Sequence, residues 1–212
     1  MSGVGAAATT TAASLDGRGF DAIVIGTSAG GVQALGTLLP ALPAGLGAAV
    51  LVVVHLPRER KSLLPSVFGP RCRLPVREAQ DKEPVEAGTV YFAPPDYHLL
   101  VDAGPTLALS ADPAVHFSRP SIDALLGSAV DVYGDRLLAI LLTGANHDGA
   151  AGLQLVHAAG GMTVVQDPAT AQVRQMPEAA LALGAPDRVL SLAAIADLLG
   201  RLGPRMADNI PQ

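Results

Sequence analysis

Asp21-Ala22-Ile23-Val24-Ile25-Gly26-Thr27-Ser28-Ala29-Gly30-Gly31 is the stretch that decides the fold. Residues 22–25 are apolar without a break, lacking the alternation of a strand with one wet face; strands buried on both faces read this way. A glycine-rich turn follows, then an amphipathic segment over 31–39 that reads as a helix. A doubly buried strand feeding a helix through a tight turn is the opening unit of a parallel sheet.

The same alternation continues outward along the chain. Apolar runs at 49–54, 137–142 and 162–165 read as further buried strands, and 121–132, 150–158, 177–183 and 192–202 as helices. Segments 89–92, 97–101 and 106–109 read as an antiparallel insert, punctuated by Pro94-Pro95-Asp96 and Ala103-Gly104-Pro105. No repeat or internal linker interrupts the pattern. The expected fold is therefore α/β: a single-domain, doubly wound, mainly parallel sheet with helices on both faces and a small antiparallel insert.

Composition agrees with one domain. The chain has 212 residues, half of them apolar and 16% charged, enough to bury a sizeable core. Residues 1–19 are rich in Ala, Thr, Ser and Gly and read as a disordered tail; 20–202 read as the one folded domain and 203–212 as a flexible end. The tail lacks the basic start and apolar stretch of a secretory signal, and no apolar run approaches a bilayer span. A lone cysteine, Cys72, suits a reducing compartment, so a cytoplasmic location without membrane insertion is expected. The net charge of −5 gives no reason to expect nucleic acid.

In open α/β sheets ligands collect beyond the carboxyl ends of the strands. Three of those ends carry reactive groups here: Ser28 after the first, His55 after the second, and Asp148 in the loop that follows 137–142. Gly26-x-Ser28-x-Gly30 fits a nucleophile elbow, whose small residues permit a sharp turn exposing the serine oxygen. A serine hydroxyl needs a base to take its proton, histidine titrates in the right range, and a carboxylate orients the imidazole. Backbone N–H groups beside them, at Ala29 and Ala145, are candidate oxyanion donors. Each element also has a plainer use. Gly-x-Ser-x-Gly also suits phosphate binding or simple capping, His55 a satisfied near-core histidine, and Asp148 a helix N-cap. Their joint placement on three strand ends favours catalysis. His147 is a rival base. His98, His116 and His157 show no metal-ligand spacing, and neither a metal nor a cofactor is expected.

Several motifs together resemble the catalytic domain of the chemotaxis protein-glutamate methylesterases (CheB type). They are the opening stretch, Val54-His55-Leu56-Pro57, Arg119-Pro120-Ser121-Ile122-Asp123 and Leu142-Thr143-Gly144-Ala145-Asn146-His147-Asp148-Gly149. Glu78-Ala79, Tyr91-Phe92-Ala93-Pro94 and Met176-Pro177 fit the same pattern. The resemblance implies hydrolysis of glutamate γ-methyl esters on receptor signalling helices, in many members also glutamine deamidation, with the triad on Ser28, His55 and Asp148. It implies a methyl-accepting receptor or similar methylated signalling protein as partner, with a methyltransferase or kinase as further partners. Ala29, Ala145 and Ser118 depart from residues common in the family at those places. The best-known members begin with a receiver domain. The tail here is too short to be one, so a site open in the isolated protein is expected.

Competing readings fare less well. A patatin-like lipid acyl hydrolase shares Gly-Thr-Ser-Ala-Gly and Asp-Gly-Ala strings, but it needs an earlier strand and helix for which there is no room, and it leaves His55 unemployed. A nucleotide-binding domain wants an acidic residue where His55 stands. A non-catalytic adaptor would have no use for an intact triad. Finally, Arg58, Arg60, Lys61, Arg71, Arg73 and Arg77 form a basic cluster on an acidic chain. Arg58, Arg60 and Lys61 read either as a patch that steers a glutamate-rich receptor to the site or as an ordinary solvated helix face.

Overall fold

The computed structural model describes residues 18–55, 62–184 and 186–204. Within them, strands run β1 (Ala22–Thr27), β2 (Ala49–Val54), β3 (Val76–Glu78), β4 (Val90–Phe92), β5 (His98–Asp102), β6 (Thr106–Ser110), β7 (Leu137–Leu141), β8 (Met162–Gln166) and β9 (Arg188–Leu190). The α-helices are α1 (Gly31–Leu38), α2 (Leu64–Phe68), α3 (Ile122–Tyr133), α4 (Ala150–Ala158), α5 (Gln175–Ala182) and α6 (Leu192–Gly200). Seven strands form one sheet in the order β3-β4-β2-β1-β7-β8-β9, with every pairing parallel. Strands β5 and β6 form a separate antiparallel pair.

The unbroken apolar runs have the expected cause. Along β1, Ile23 and Ile25 pack into one core with α1 and α6, through Leu35, Leu38 and Leu199. Ala22 and Val24 enter a second core with α3, α4 and α5 on the other face. Both faces of the sheet are dry, so the period-2 polarity of a half-exposed strand has nothing to select it.

Two details differ from expectation. The segment around Val90–Phe92 is a main-sheet strand, pairing in parallel with β2, rather than part of the antiparallel insert. Tyr91 and Phe92 are both fully buried, one in each core, which is the environment of a central strand. The three-residue strands β3 and β9 are too short for any periodicity to announce them. No helix among the described residues is long and apolar enough to cross a membrane.

The topology places the site. From β1 the chain passes through α1 to β2 on one side, and it later returns to β7 on β1's other side. Helix α1, which follows β1, belongs to one core, and α4, which follows β7, to the opposite one. The loops after β1 and β7 therefore part, and an open α/β sheet forms its crevice where they do.

Candidate active site

The loops after β1 and β7 are stitched together below that crevice. Ser28 N–H and Thr27 Oγ1–H both donate to Thr143 O, at 3.0 and 2.9 Å. Thr143 Oγ1 lies 2.8 Å from Ala29 O, and Thr143 N–H donates to the buried Gln166 side chain at 3.0 Å. The turn carrying Ser28 is closed by Gly31 N–H donating to Ser28 O at 2.9 Å. Its left-handed residue is Gly30 (φ 81°), where a Cβ would stand 2.7 Å from Gln172 Oε1. The serine itself is not at positive φ, which among described non-glycine residues occurs only at Lys82, Asp96, His116 and Phe117. The strained backbone of a nucleophile elbow is thus absent at Ser28; Gly30 makes the bend instead.

Asp148 is the anchor of the site. It is fully buried, yet each of its oxygens is satisfied twice. Oδ2 accepts from His55 Nε2 at 2.8 Å and from Ile122 N–H at 2.7 Å. Oδ1 accepts from Ser121 Oγ at 2.8 Å and from Asp123 N–H at 3.0 Å. The carboxylate sits on the N-terminus of α3, where unpaired N–H groups and the helix dipole favour an anion. Burial alone would raise its pKa, but the bonds from His55, Ile122, Asp123 and Ser121 outweigh that and hold it below the ordinary carboxylate value.

Ser121 joins several parts of this arrangement. It caps α3 by accepting from Ala124 N–H at 3.3 Å, and its own N–H donates to His98 Nδ1 at 3.1 Å. Buried His98 is fixed in turn by donating from Nε2 to Pro113 O at 3.2 Å.

An ionised Asp148 accepts only, so His55 carries its proton on Nε2 and leaves Nδ1 unprotonated, with a lone pair to accept. Two donors face that lone pair: Asn146 Nδ2 at 3.4 Å and Ser118 Oγ at 3.5 Å. Ser28 and His55 line one cavity of about 640 Å³, together with Val32, Gln33, Arg71 and Gln172. The Ser28 hydroxyl forms no hydrogen bond to the described residues, so it meets His55 across that cavity rather than through a formed bond, as free enzymes often show.

The structure thus brings Ser28, His55 and Asp148 to one edge. Ala29 and Ala145 are exposed residues, and their N–H groups donate to no acceptor among the described residues. His147 is not drawn in: its Nε2 lies 2.9 Å from His116 Nδ1 on the surface. Arg58, Arg60 and Lys61 fall outside the described residues. Of the remaining basic cluster, Arg71 lines the cavity, whereas Arg77 is committed to Tyr91 Oη and Glu86, each at 2.8 Å. Sequence reasoning missed Ser118, Ser121, Asn146, Thr143 and His98. Ser121 had a signal, a serine at a helix start before an apolar run. Thr143 and His98 had none, because a buried polar residue reveals its partners only in three dimensions.

A parallel α/β sheet that gathers serine, histidine and a buried aspartate at its switch-point edge defines the serine-hydrolase type of α/β domain. Comparison with known proteins narrows this to a family. The model of the CheB methylesterase family matches residues 23–199. A Leptospira interrogans protein, provisionally assigned as a protein-glutamate methylesterase/protein-glutamine glutaminase, is 44% identical over 183 residues, 86% of this chain and 95% of that one. A Symbiobacterium thermophilum protein named for the same two activities is 41% identical over 179 residues, 84% of this chain but only 49% of its own length. The crystal structure of the Thermotoga maritima CheB methylesterase catalytic domain superposes with a TM-score of 0.83 at 33% identity, covering 86% of this chain and 98% of that one. The chain belongs to the CheB methylesterase family, a family of hydrolases.

Proposed function

We propose that residues 20–202 form a methylesterase domain that hydrolyses glutamate γ-methyl esters on the signalling helices of chemoreceptor-like proteins, in the cytoplasm. The observation that carries the mechanism is the bond from His55 Nε2 to buried Asp148, which leaves Nδ1 as the base. Ser28 Oγ attacks the ester carbonyl and its proton passes to His55 Nδ1. The N–H groups of Ala29 and Ala145 receive the oxyanion. Methanol leaves with the proton from Nδ1, and the acyl group stays on Ser28. Water then attacks that acyl carbon, giving its proton to Nδ1; collapse releases the glutamate side chain and restores the serine hydroxyl. A glutamine side chain presents the same carbonyl with ammonia as leaving group, consistent with the second activity in the relatives' names. Asp148 steadies the imidazolium in both halves of the reaction without taking its proton.

An active-site-directed fluorophosphonate tests the nucleophile. The expected result is one phosphonyl group per chain, mapped to Ser28 by mass spectrometry and lost in Ser28→Ala. Modification at another serine, or none in the wild type, would remove Ser28 from the mechanism.

A further inference from the structure

A hairpin beside the site presents an aromatic ring to water at a conformational cost. Val115 and Ser118 close the turn through two backbone bonds, 3.1 and 2.8 Å, so that His116 and Phe117 alone make the connection. Both have positive φ, 49° and 62°. Two-residue turns of this kind belong to Gly, Asn and Asp, and a bulky residue at positive φ is an outlier that persists only where its surroundings impose it. The surroundings here do so from three sides. His116 lies between His147 Nε2, at 2.9 Å, and Asp123 Oδ2, at 3.3 Å. On the far strand, Ser118 lies 3.5 Å from His55 Nδ1 and receives Asn146 Nδ2 at 3.3 Å. Arg119 ties the base of the turn to Asp96 at 2.7 Å and to Ala111 O at 2.7 Å. The product of all this fixing is Phe117 with 99% of its surface exposed.

A single exposed apolar side chain is ordinary by itself. This one is held in a disfavoured conformation, on an anchored turn, one residue from the hydroxyl that faces the His55 base. Backbone strain of this sort collects at functional sites. Nothing in the chemistry of ester cleavage uses the ring, which leaves recognition of what surrounds the ester. We infer that Phe117 is the apolar anchor of the substrate-docking surface, seating against the apolar stripe of an amphipathic helix whose methylated glutamate enters the Ser28 cleft. The inference rests on the methylesterase reading above for its occupant, and on the turn alone for its position. An aromatic knob suits the task, because a rigid ring contributes much contact area at little entropic cost.

The test combines binding, turnover and stability on the full chain. Ser28→Ala protein, which holds substrate without consuming it, is titrated with a methyl-esterified chemoreceptor helical fragment, with and without Phe117→Ala. Dissociation constants should rise about tenfold on loss of the ring, the scale of a modest hot spot. In the Ser28 background, Phe117→Ala should raise KM for that fragment by a similar factor with kcat within twofold, and Phe117→Leu should restore part of it. Phe117→Gly, which suits positive φ, should weaken binding equally yet raise Tm by about 3 °C. Equal affinity with and without the ring would overturn the proposal, as would an equal loss on p-nitrophenyl acetate, which would make the turn a support for His55. Binding that depends on Phe117 without methanol release by the wild type would count against the methylesterase reading and leave the docking surface standing.

Discussion

Asp148 shows how much one side chain can be asked to do. Its carboxylate holds His55, satisfies two N–H groups of α3 and orients Ser121, all from full burial. The depressed pKa makes this a statement about stability. A carboxyl whose folded pKa lies below its unfolded value, about 3.9 for aspartate, contributes stability that is intact above that value. The contribution is lost as pH falls from there through the folded pKa. Neighbouring Asp123 works in the opposite sense: burial, aided by the charge of Asp148, raises its pKa against the Gly152 N–H bond and the attraction of His116. Its buried charge therefore costs stability near neutrality, and protonation recovers that cost as pH falls through its raised pKa toward the unfolded value. Asp148→Asn should lose about 2 kcal/mol at pH 7, since the amide must turn a donor toward one of the helix N–H groups. It should also show a flatter acid limb below about pH 4 than the wild type. Urea melts across the acid range measure both, and a variant with an unchanged acid limb would show that Asp148 is not the linked group.

The helices that support this aspartate touch unusually closely. Gly152 of α4 lies against α3: a Cβ there would stand 2.6 Å from Leu126 Cβ, while Gly152 N–H donates to Asp123 Oδ1 at 2.7 Å. Gly152→Val should force the pair apart and cost about 2 kcal/mol, an overpacking effect measurable as a lower urea midpoint with an unchanged slope. A variant as stable as the wild type would mean the helices part freely. At this scale the sequence was legible where elements were long and evenly apolar. The cores of β1, β2, β7 and β8 follow from 22–25, 49–54, 137–142 and 162–165, and the ends of α1, α3, α4, α5 and α6 fall within two residues of expectation, whereas the five-residue α2 was not anticipated. It misled at Val90–Phe92, because a short apolar run after a turn reads alike as insert or central strand, and only parallel pairing with β2 decides between them. The placement of Ser28, His55 and Asp148 on one edge was legible because each follows a strand that the pattern located. Their supports were not: Ser118, Asn146 and His98 come from loops and an edge strand whose contacts have no local signature.

Across the whole molecule, the doubly wound sheet lets three distant segments share one edge. Ser28 and Asp148 flank the switch point, His55 stands on the next strand, and the hairpin carrying Phe117 rises from the loop that leads into α3. Two dry cores lie below and the site-bearing loops above, which is how one fold carries a site of narrow purpose. On a chain of net charge −5, the cavity holding Ser28 is lined by Arg71 and by no carboxylate among the described residues, a setting suited to a glutamate-rich helix. The family has a membership test in sequence, but the activity of this chain has one in chemistry. Methyl-esterified chemoreceptor fragments incubated with the full chain should release methanol, at a rate at least about a thousandfold above that of Ser28→Ala, as expected for removing a nucleophile that works as one unit with its base. A Ser28→Ala variant that kept more than about a tenth of the rate, or a wild type that released no methanol, would contradict the account.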